Sequence, residues 1–485
     1  MQEAARKVMI IGGGITGLSA AFYVQKLFKE KGVPVEITLV EKSGKWGGRI
    51  ETLRRDGFVL EKGPDSFLAR KLPIIELSRD LGIENELVGQ GAKGKRSYIL
   101  HHGKLHPMPA GMVLAIPTDL TAFMETGLVS PEGKARALED LTLPKSEDPG
   151  DESLGHFLSR RLGPEVLENI AEPLLAGIYA GDTYALSLQA TFPQFKDAEQ
   201  KYGSLIQGMQ ESRKASAASA GSQEAIPEAA RGSMFLSYRN GLQSLVDALL
   251  EALQGVKRLA AAAVKVDRTE SGSRVTMENG EVYETDSLIL ALPNYTMAEL
   301  LPELPAVQRL GQVDYISVAN VILAYNAEEI ETSFDGSGFV IPRKEGRFIT
   351  ACTWTSTKWS HIAPPDKVVL RCYVGRSGEE GWTGMTDEEI VRKVKQEVRE
   401  LMGIEAEPLF HEINRLYRSM PQYPVGHLDQ IREARKELQE KHPGVFVTGS
   451  GFHGVGLPDC IRQGREAAEE CLLHLAGTGT PGRRC

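Results

Sequence analysis

Gly12, Gly14 and Gly17 spell G-x-G-x-x-G directly after the apolar run Lys7 to Ile11 and at the head of an apolar-periodic stretch from Ile15 to about Lys31. That context constrains the fold more than anything else in the chain, because it predicts a strand, a tight turn and a helix. The first glycine permits the turn, the second admits a pyrophosphate to the backbone, and the third lets helix and strand pack closely. A second strand is predicted over Val35 to Val40, ending at Glu41, an acid placed to accept from both ribose hydroxyls and to repel a 2′-phosphate. The unit binds a dinucleotide other than NADP. FAD and NAD both remain open at this point.

Gly47-Gly48-Arg49 follows the acid, where the backbone can approach a phosphate with Arg49 beside it; an ordinary loop is the alternative. Near the other end, Gly449, Gly451 and Gly454 repeat the glycine spacing within Gly449 to Asp459. About thirty residues follow, enough for one helix but not for a second βαβ unit with its acidic strand end. This cluster is read as a second helix N-terminus brought to the first ligand. A dinucleotide domain assembled from both chain ends, with no separate NAD(P)H domain, suits a flavoprotein reduced by its own substrate.

With 485 residues, the chain exceeds what one core usually serves, so two or three lobes are expected. The net charge of -9 offers no basic face and disfavours nucleic acid. Cys352, Cys372, Cys460, Cys471 and Cys485 form no C-x-x-C pair and no zinc spacing, so neither a metal nor a disulfide is expected. The first residues lack the regions of a signal peptide. The most apolar stretches, Met112 to Met124 and Ala171 to Gly181, carry prolines or acids and fall short of the roughly 18 apolar residues of a spanning helix. A cytoplasmic protein is expected, with a peripheral apolar face left open.

Helical stretches are predicted near Glu165 to Leu175, Gly241 to Leu253 and Asp459 to Leu475, and a surface excursion over Ala215 to Ala230. Strands are predicted at Val264 to Val266, Ser287 to Leu292, Ser317 to Ala324, Phe348 to Trp354, Val368 to Val374 and Gly444 to Thr448. The chain is therefore α/β.

Together these residues resemble the flavin amine oxidase and protoporphyrinogen oxidase group, in which Gly-Gly-Arg follows the ribose acid. The similarity is greater to its Gram-positive branch, the oxygen-dependent coproporphyrinogen III oxidases. It is carried by Leu60 to Leu68, Glu172 to Asp182, Ala190 to Phe195, Thr350 to Thr355, Met420 to Tyr423 and Gly454 to Ile461. One departure is Leu416, where close relatives often have Trp, which touches one flavin-flanking contact.

The resemblance implies three parts: a Rossmann-like FAD-binding domain over 1–70, 234–298 and 415–475, a mixed-sheet substrate domain over 71–96, 186–233 and 299–414, and a helical domain over 97–185. It implies FAD held by Gly12, Gly13, Gly14, Ile15, Thr16 and Gly17, by Glu41 and Lys42, and by Gly48 and Arg49. Further contacts are implied for Gly63, Pro64, Asp65, Ser66 and Val266, and for Gly449, Ser450, Gly451, Val455, Gly456 and Leu457. The implied reaction is oxidation of coproporphyrinogen III to coproporphyrin III in haem biosynthesis, with oxygen as acceptor and hydrogen peroxide as product. Protoporphyrinogen IX is the alternative substrate, and a flavin amine oxidase the more distant alternative. Transient contact with other enzymes of haem biosynthesis also follows from it.

A substrate bearing carboxylates calls for cations, and Lys71 and Arg96 are the candidates, a solvated surface charge being the alternative for each. Gly177 and Ile178 are read as an apolar wall, or else as core. Tyr373 is the candidate catalytic residue, to orient substrate or relay a proton, with a packed core tyrosine as its alternative. His453 and Cys460 are set aside, because no base with an orienting partner can be read around them.

Overall fold

The computed structural model describes residues 4–218, 227 and 230–477. Strand β1 (Arg6–Ile11) is buried from Val8 onward, as a central strand of a parallel sheet covered on both faces must be. It lies between β2 (Val35–Val40) and the strand Ser287–Leu290, both parallel to it, with Val8 opposite Ile37 and Ser287. Lys257–Leu259 and Val445–Val447 complete a five-stranded parallel sheet. Helix α1 (Ile15–Glu30) packs Leu18, Ala21 and Phe22 into the core beneath it. The helix Leu457–Leu475 crosses α1 closely, since a Cβ on Gly464 would stand 2.5 Å from the Thr16 carbonyl oxygen. The two ends of the chain thus build one layer, as the paired glycine clusters predict.

A second sheet of seven strands runs in the order Phe410–Pro421, Tyr315–Asn326, Lys367–Val374, Ile349–Trp354, Gly338–Val340, Tyr98–His101, Lys104–Pro107. It is mixed: Gly338–Val340 pairs parallel with Tyr98–His101, and every other pairing is antiparallel. Side chains alternate across it. Leu370, Cys372 and Val374 face a core closed by Trp382 and by the helix Asp387–Met402, whose Ile390, Val394 and Val398 form an apolar stripe. Val369, Arg371 and Tyr373 therefore fall on the opposite face, where Val369 meets Phe58, Leu60, Ile322 and Trp359. That face looks toward the first sheet.

A third core gathers helices between Leu154 and Met209 with Tyr423. The stretch predicted as helix near Glu165 to Leu175 is helical, but it widens into a π-helix over Leu167–Ala176 that holds Pro173, followed by the short turn Gly177–Tyr179. A proline lacks the N–H that a regular α-turn needs, and the wider turn accommodates it. Of the excursion expected over Ala215 to Ala230, the first residues continue the helix Leu205–Ala218; most of the remainder lies outside the described residues. The hairpin Tyr98–Pro107 falls within the stretch assigned to the helical part, yet it extends the mixed sheet. The strand Phe410–Pro421 likewise stays in that sheet past residue 415, because a continuous ladder with Tyr315–Asn326 satisfies its backbone.

Among the described residues no helix is long and apolar enough to cross a membrane, and no group of three or more His, Cys, Asp or Glu could hold a metal ion. Cys352, Cys372, Cys460 and Cys471 are free and buried.

Candidate functional site

The turn after β1 is shaped by backbone crowding. Gly12 has a φ of +114°, and a Cβ there would meet the Ala291 carbonyl oxygen at 2.2 Å. A Cβ on Gly17 would stand 1.8 Å from the Gly12 carbonyl oxygen, so only glycine lets α1 begin this close to the strand. Gly14 caps α1 in an extended conformation with no side chain bonded to the first-turn N–H groups, and the nearest atom to a Cβ there is 4.0 Å away. An open helix N-terminus results, flanked by the buried Ile15 and Thr16.

Glu41 lies at the end of β2, as read. Its Oε2 accepts the Gly13 N–H at 2.9 Å, and its Oε1 accepts the Ser43 N–H at 2.9 Å and the Ser43 hydroxyl at 2.7 Å. A carboxylate offers about four acceptor positions. Three are filled by the protein, so Glu41 has one left for a ribose hydroxyl instead of the two expected. Ser43 escaped the sequence reading, although a hydroxyl two residues after an acid is a common local partner. Lys42 is exposed.

Gly47 donates its N–H to the Gly13 carbonyl at 2.8 Å, and a Cβ on Gly48 would lie 3.0 Å from Gly14 Cα. The Gly-Gly pair is thus laid against the start of α1, which an ordinary loop would not require. Arg49 reaches across to the mixed sheet, its guanidinium donating to the Ser419 and Arg418 carbonyls. A Cβ on Gly63 would meet the Arg49 carbonyl oxygen at 1.8 Å, which places the Gly63 turn in the same cradle. Asp65 accepts from Lys358 Nζ at 3.0 Å and from the Ser66 hydroxyl at 2.8 Å. Burial opposes its charge, but the Lys358 and Arg371 cations outweigh that and hold the carboxyl well below the usual carboxylate range. Asp65 and Ser66 are therefore engaged within the protein, beside the half-buried Pro64. Val266 packs its side chain in the core with Ile11 and Val40, leaving only backbone for a ligand.

The second glycine cluster closes the cradle. Gly451 fits under Asn294, whose Nδ2 donates to the Gly451 carbonyl at 3.0 Å, and the Ser450 carbonyl accepts the Tyr423 hydroxyl. Gly449, with a φ of +129°, opens this turn, and Val455 carries the chain into the helix start at Gly456 and Leu457. That N-terminus also lacks a side-chain cap. Two uncapped helix N-termini beside glycines that admit no Cβ, with an acceptor at a strand end, fit an anionic dinucleotide such as FAD.

The candidate substrate residues are spread around this cradle. Lys71 Nζ pairs with Asp459 in the first turn of the terminal helix and is 38% exposed. Asp459 was not a candidate; it takes up part of the charge expected to meet a substrate carboxylate. Gly177 has open space at its Cβ, and Ile178 is 45% exposed, so the pair does not serve as core. Tyr179 stands between them and the cradle: its ring lies 5.4 Å from Tyr423, and burial with the nearby Asp459 charge pushes its phenol well up. Tyr373 is half-buried on the inward face of the mixed sheet, 5.1 Å from the Arg371 guanidinium. The Ser377 N–H donates to the Ala180 carbonyl at 2.7 Å, tying the end of this strand to the Ile178 turn.

Arg96 stands apart. Its side chain is 74% exposed and pairs with Asp335, while neighbouring Tyr98 packs on Trp354 toward the sheet's outer core. Among the described residues no hydrogen bond or ion pair joins it to Lys71, Ile178 or Tyr373. Arg96 precedes the strand Tyr98–His101: its carbonyl accepts the Ser337 N–H at 2.7 Å while its side chain stays in solvent beside Asp335.

His453 and Cys460, set aside in the sequence reading, lie beside the terminal helix start, the first half-buried and the second buried. Burial, aided by Arg435 and Arg462, lowers His453 to about 4, and its carbonyl accepts from Arg462 at 3.1 Å. Burial raises the Cys460 thiol to about 11. Sequence reasoning missed Arg371, Asn320 and Tyr423. Arg371 donates to the Gly63 carbonyl, and Asn320 Nδ2 donates to the Lys62 carbonyl at 3.0 Å, so both dock the mixed sheet onto the cofactor cradle. The available signal for Arg371 was a charged residue alternating with apolar ones in a buried strand.

The pattern of flavin containing amine oxidoreductases matches residues 15–472. The chain is 45% identical over 476 residues to the coproporphyrinogen III oxidase of Bacillus subtilis (strain 168), covering 98% of this chain and all of that one. It is 39% identical to the coproporphyrinogen III oxidase of Staphylococcus aureus, over 97% of this chain and 100% of the relative. A crystal structure from Exiguobacterium sp. 255-15, named as a protoporphyrinogen oxidase, superposes with a TM-score of 0.83 at 36% identity, covering 98% of this chain and 99% of that one. With the dinucleotide cradle, the docked mixed sheet and these likenesses in agreement, the chain belongs to the flavin containing amine oxidoreductase family.

Proposed function

We propose that this protein is an FAD-dependent oxidase that converts coproporphyrinogen III to coproporphyrin III, with oxygen as final acceptor and hydrogen peroxide as product. The observation that carries the reading is the full-length likeness to coproporphyrinogen III oxidases, joined to a cradle that fits FAD. Bound FAD supplies a two-electron acceptor, and aromatising a porphyrinogen takes three such transfers.

The residues' own work is binding and placement. The first-turn N–H groups of α1 and of the terminal helix hold the pyrophosphate, and Glu41 takes a ribose hydroxyl. Ile178 offers an apolar surface to the macrocycle, and Lys71, held by Asp459 at the edge of the cradle, attracts a propionate. The Tyr373 hydroxyl orients the ring or relays a pyrrole proton, accepting it while passing its own proton on. Arg371 and Asn320 keep the sheet seated and limit water at that junction.

The assay is aerobic incubation of the holo-protein with coproporphyrinogen III and with protoporphyrinogen IX, followed by porphyrin fluorescence and peroxide release. A higher kcat/KM for coproporphyrinogen is expected. A preference for protoporphyrinogen would favour the second reading, to which the 30% identity with the chloroplastic protoporphyrinogen oxidase 1 of Arabidopsis thaliana lends weight. Turnover of simple amines without porphyrin formation would overturn both. A cytoplasmic setting, transient contact with other enzymes of haem biosynthesis and a peripheral seat on lipid belong to the same proposal, and vesicle co-sedimentation tests the last.

A further inference from the structure

Beneath the junction between the Gly63 turn and the mixed sheet lies an internal cavity with room for about one water molecule. Glu61, Asp65, Trp359, His361 and Arg371 are among the residues that line it. Trp359 and Arg371 are 2% and 3% exposed, and Trp359 Nε1 and Arg371 Nε have no hydrogen-bond partner among the described residues. Two buried donors thus stand without a partner on the walls of a largely apolar cavity, where only an acceptor would satisfy them.

The acceptor available is Glu61. Its Oε1 accepts the Leu242 N–H at 2.6 Å and its Oε2 accepts the Thr52 hydroxyl at 2.9 Å. It takes part in no ion pair among the described residues. The charged groups facing it come from every element around the cavity: Arg371 from the sheet, Asp65 from the Gly63 turn, Lys358 paired with Asp65, and His361 with Arg239 behind it. Burial pushes the Glu61 carboxyl up to about 7, opposed by the two hydrogen bonds and by Arg371. Burial and Arg239 lower His361, so it stays neutral there. Protonation of Glu61 leaves Asp65 as the one anion facing the Arg371 and Lys358 cations, and ionisation adds a second.

Arg371 connects this cluster to the cofactor cradle. Its guanidinium donates to the Gly63 carbonyl, Gly63 lies on the Arg49 carbonyl, and the preceding Gly48 lies on Gly14. We infer that Glu61 is a positioning residue, whose gain or loss of a proton, acting through Arg371, sets the positive charge that the protein presents to the cofactor at the Gly63 turn. A positive environment favours the reduced, more electron-rich cofactor, and charge near the reactive ring is one of the means by which a protein tunes it. The inference rests on FAD binding but not on the choice of porphyrinogen.

The test is the reduction equilibrium between protein-bound FAD and a reference dye, followed by absorbance from about pH 5.5 to 9, in the wild-type holo-protein and in Glu61→Gln. Glutamine has the same size and never ionises; its oxygen can accept the Leu242 N–H while its NH2 donates to the Thr52 oxygen. Reduction raises the proton affinity of Glu61, so the wild-type equilibrium should fall more steeply than that of E61Q as pH rises through about 7. Coupling of one pKa unit separates the two by about tenfold at the alkaline end, E61Q remaining the easier to reduce. Parallel curves over the whole range overturn the inference. Should E61Q fail to hold FAD, Thr52→Val serves instead: losing one donor to the carboxylate moves the steep region to higher pH, and an unmoved curve overturns the inference. A normal dye titration with no porphyrin formation would count against the proposed reaction and leave this assignment standing.

Discussion

Replacing Glu41 gives a quantitative test of the cradle. Three of its roughly four acceptor positions are taken by Gly13 and Ser43, which leaves one charge-assisted hydrogen bond to a ribose hydroxyl. Such a bond is worth about 1.5–3 kcal/mol net, or roughly 10- to 150-fold in Kd. Glu41→Ala removes it and also frees the Gly13 N–H, so its loss of FAD affinity should sit at the upper end of that range. Glu41→Gln keeps an acceptor oxygen without the charge and should lose the smaller part. The assay is fluorescence titration of apo-protein with FAD, with circular dichroism to verify that each variant is folded. Equal affinity in wild type and E41A would refute the argument and place the ribose contact elsewhere. Equal affinity in wild type and E41Q would show that the charge is not used.

Lys71→Ala should lower kcat/KM for coproporphyrinogen more than for protoporphyrinogen, by about 1 kcal/mol, since Lys71 is part-exposed and already shared with Asp459; an equal loss on both substrates would keep Lys71 in the site and remove it from specificity. Tyr373→Phe should cut kcat by about tenfold or more with FAD content unchanged, and unchanged kcat would return Tyr373 to a packing role. Burial lowers His427 to about 4 from its ordinary 6.5, its ring stacked 4.5 Å from Tyr423. The folded state therefore binds fewer protons than the unfolded one, and the stability His427 contributes is present above about 6.5 and lost as pH falls toward 4. His427→Phe should flatten this part of the acid limb of a curve of unfolding free energy against pH, from denaturant melts, by up to about 3 kcal/mol, and an unaltered limb would show that other groups govern it.

The sequence by itself determined the cofactor half of the protein. The positions of Gly12 in the turn, Gly17 at the close approach and Glu41 at the strand end were legible because their demands are local, fixed within one βαβ unit. The terminal glycine cluster was legible for a similar reason, since its glycines stand directly before the helix Leu457–Leu475. The strand at Lys367–Val374 was visible from its β-branched residues, and the alternation within it already sets Arg371 and Tyr373 on one face.

What that face meets was decided only in three dimensions. Arg371 donates to Gly63, 308 positions away in the chain, and Lys71 pairs with Asp459 across 388. No period or propensity encodes such pairs. Arg96 shows the converse: its residue type suits a carboxylate, but in the folded chain its side chain lies in solvent beside Asp335. The elevated Glu61 carboxyl is likewise a product of packing, because burial against the mixed sheet, and not its neighbours in sequence, removes the water that would keep it ionised.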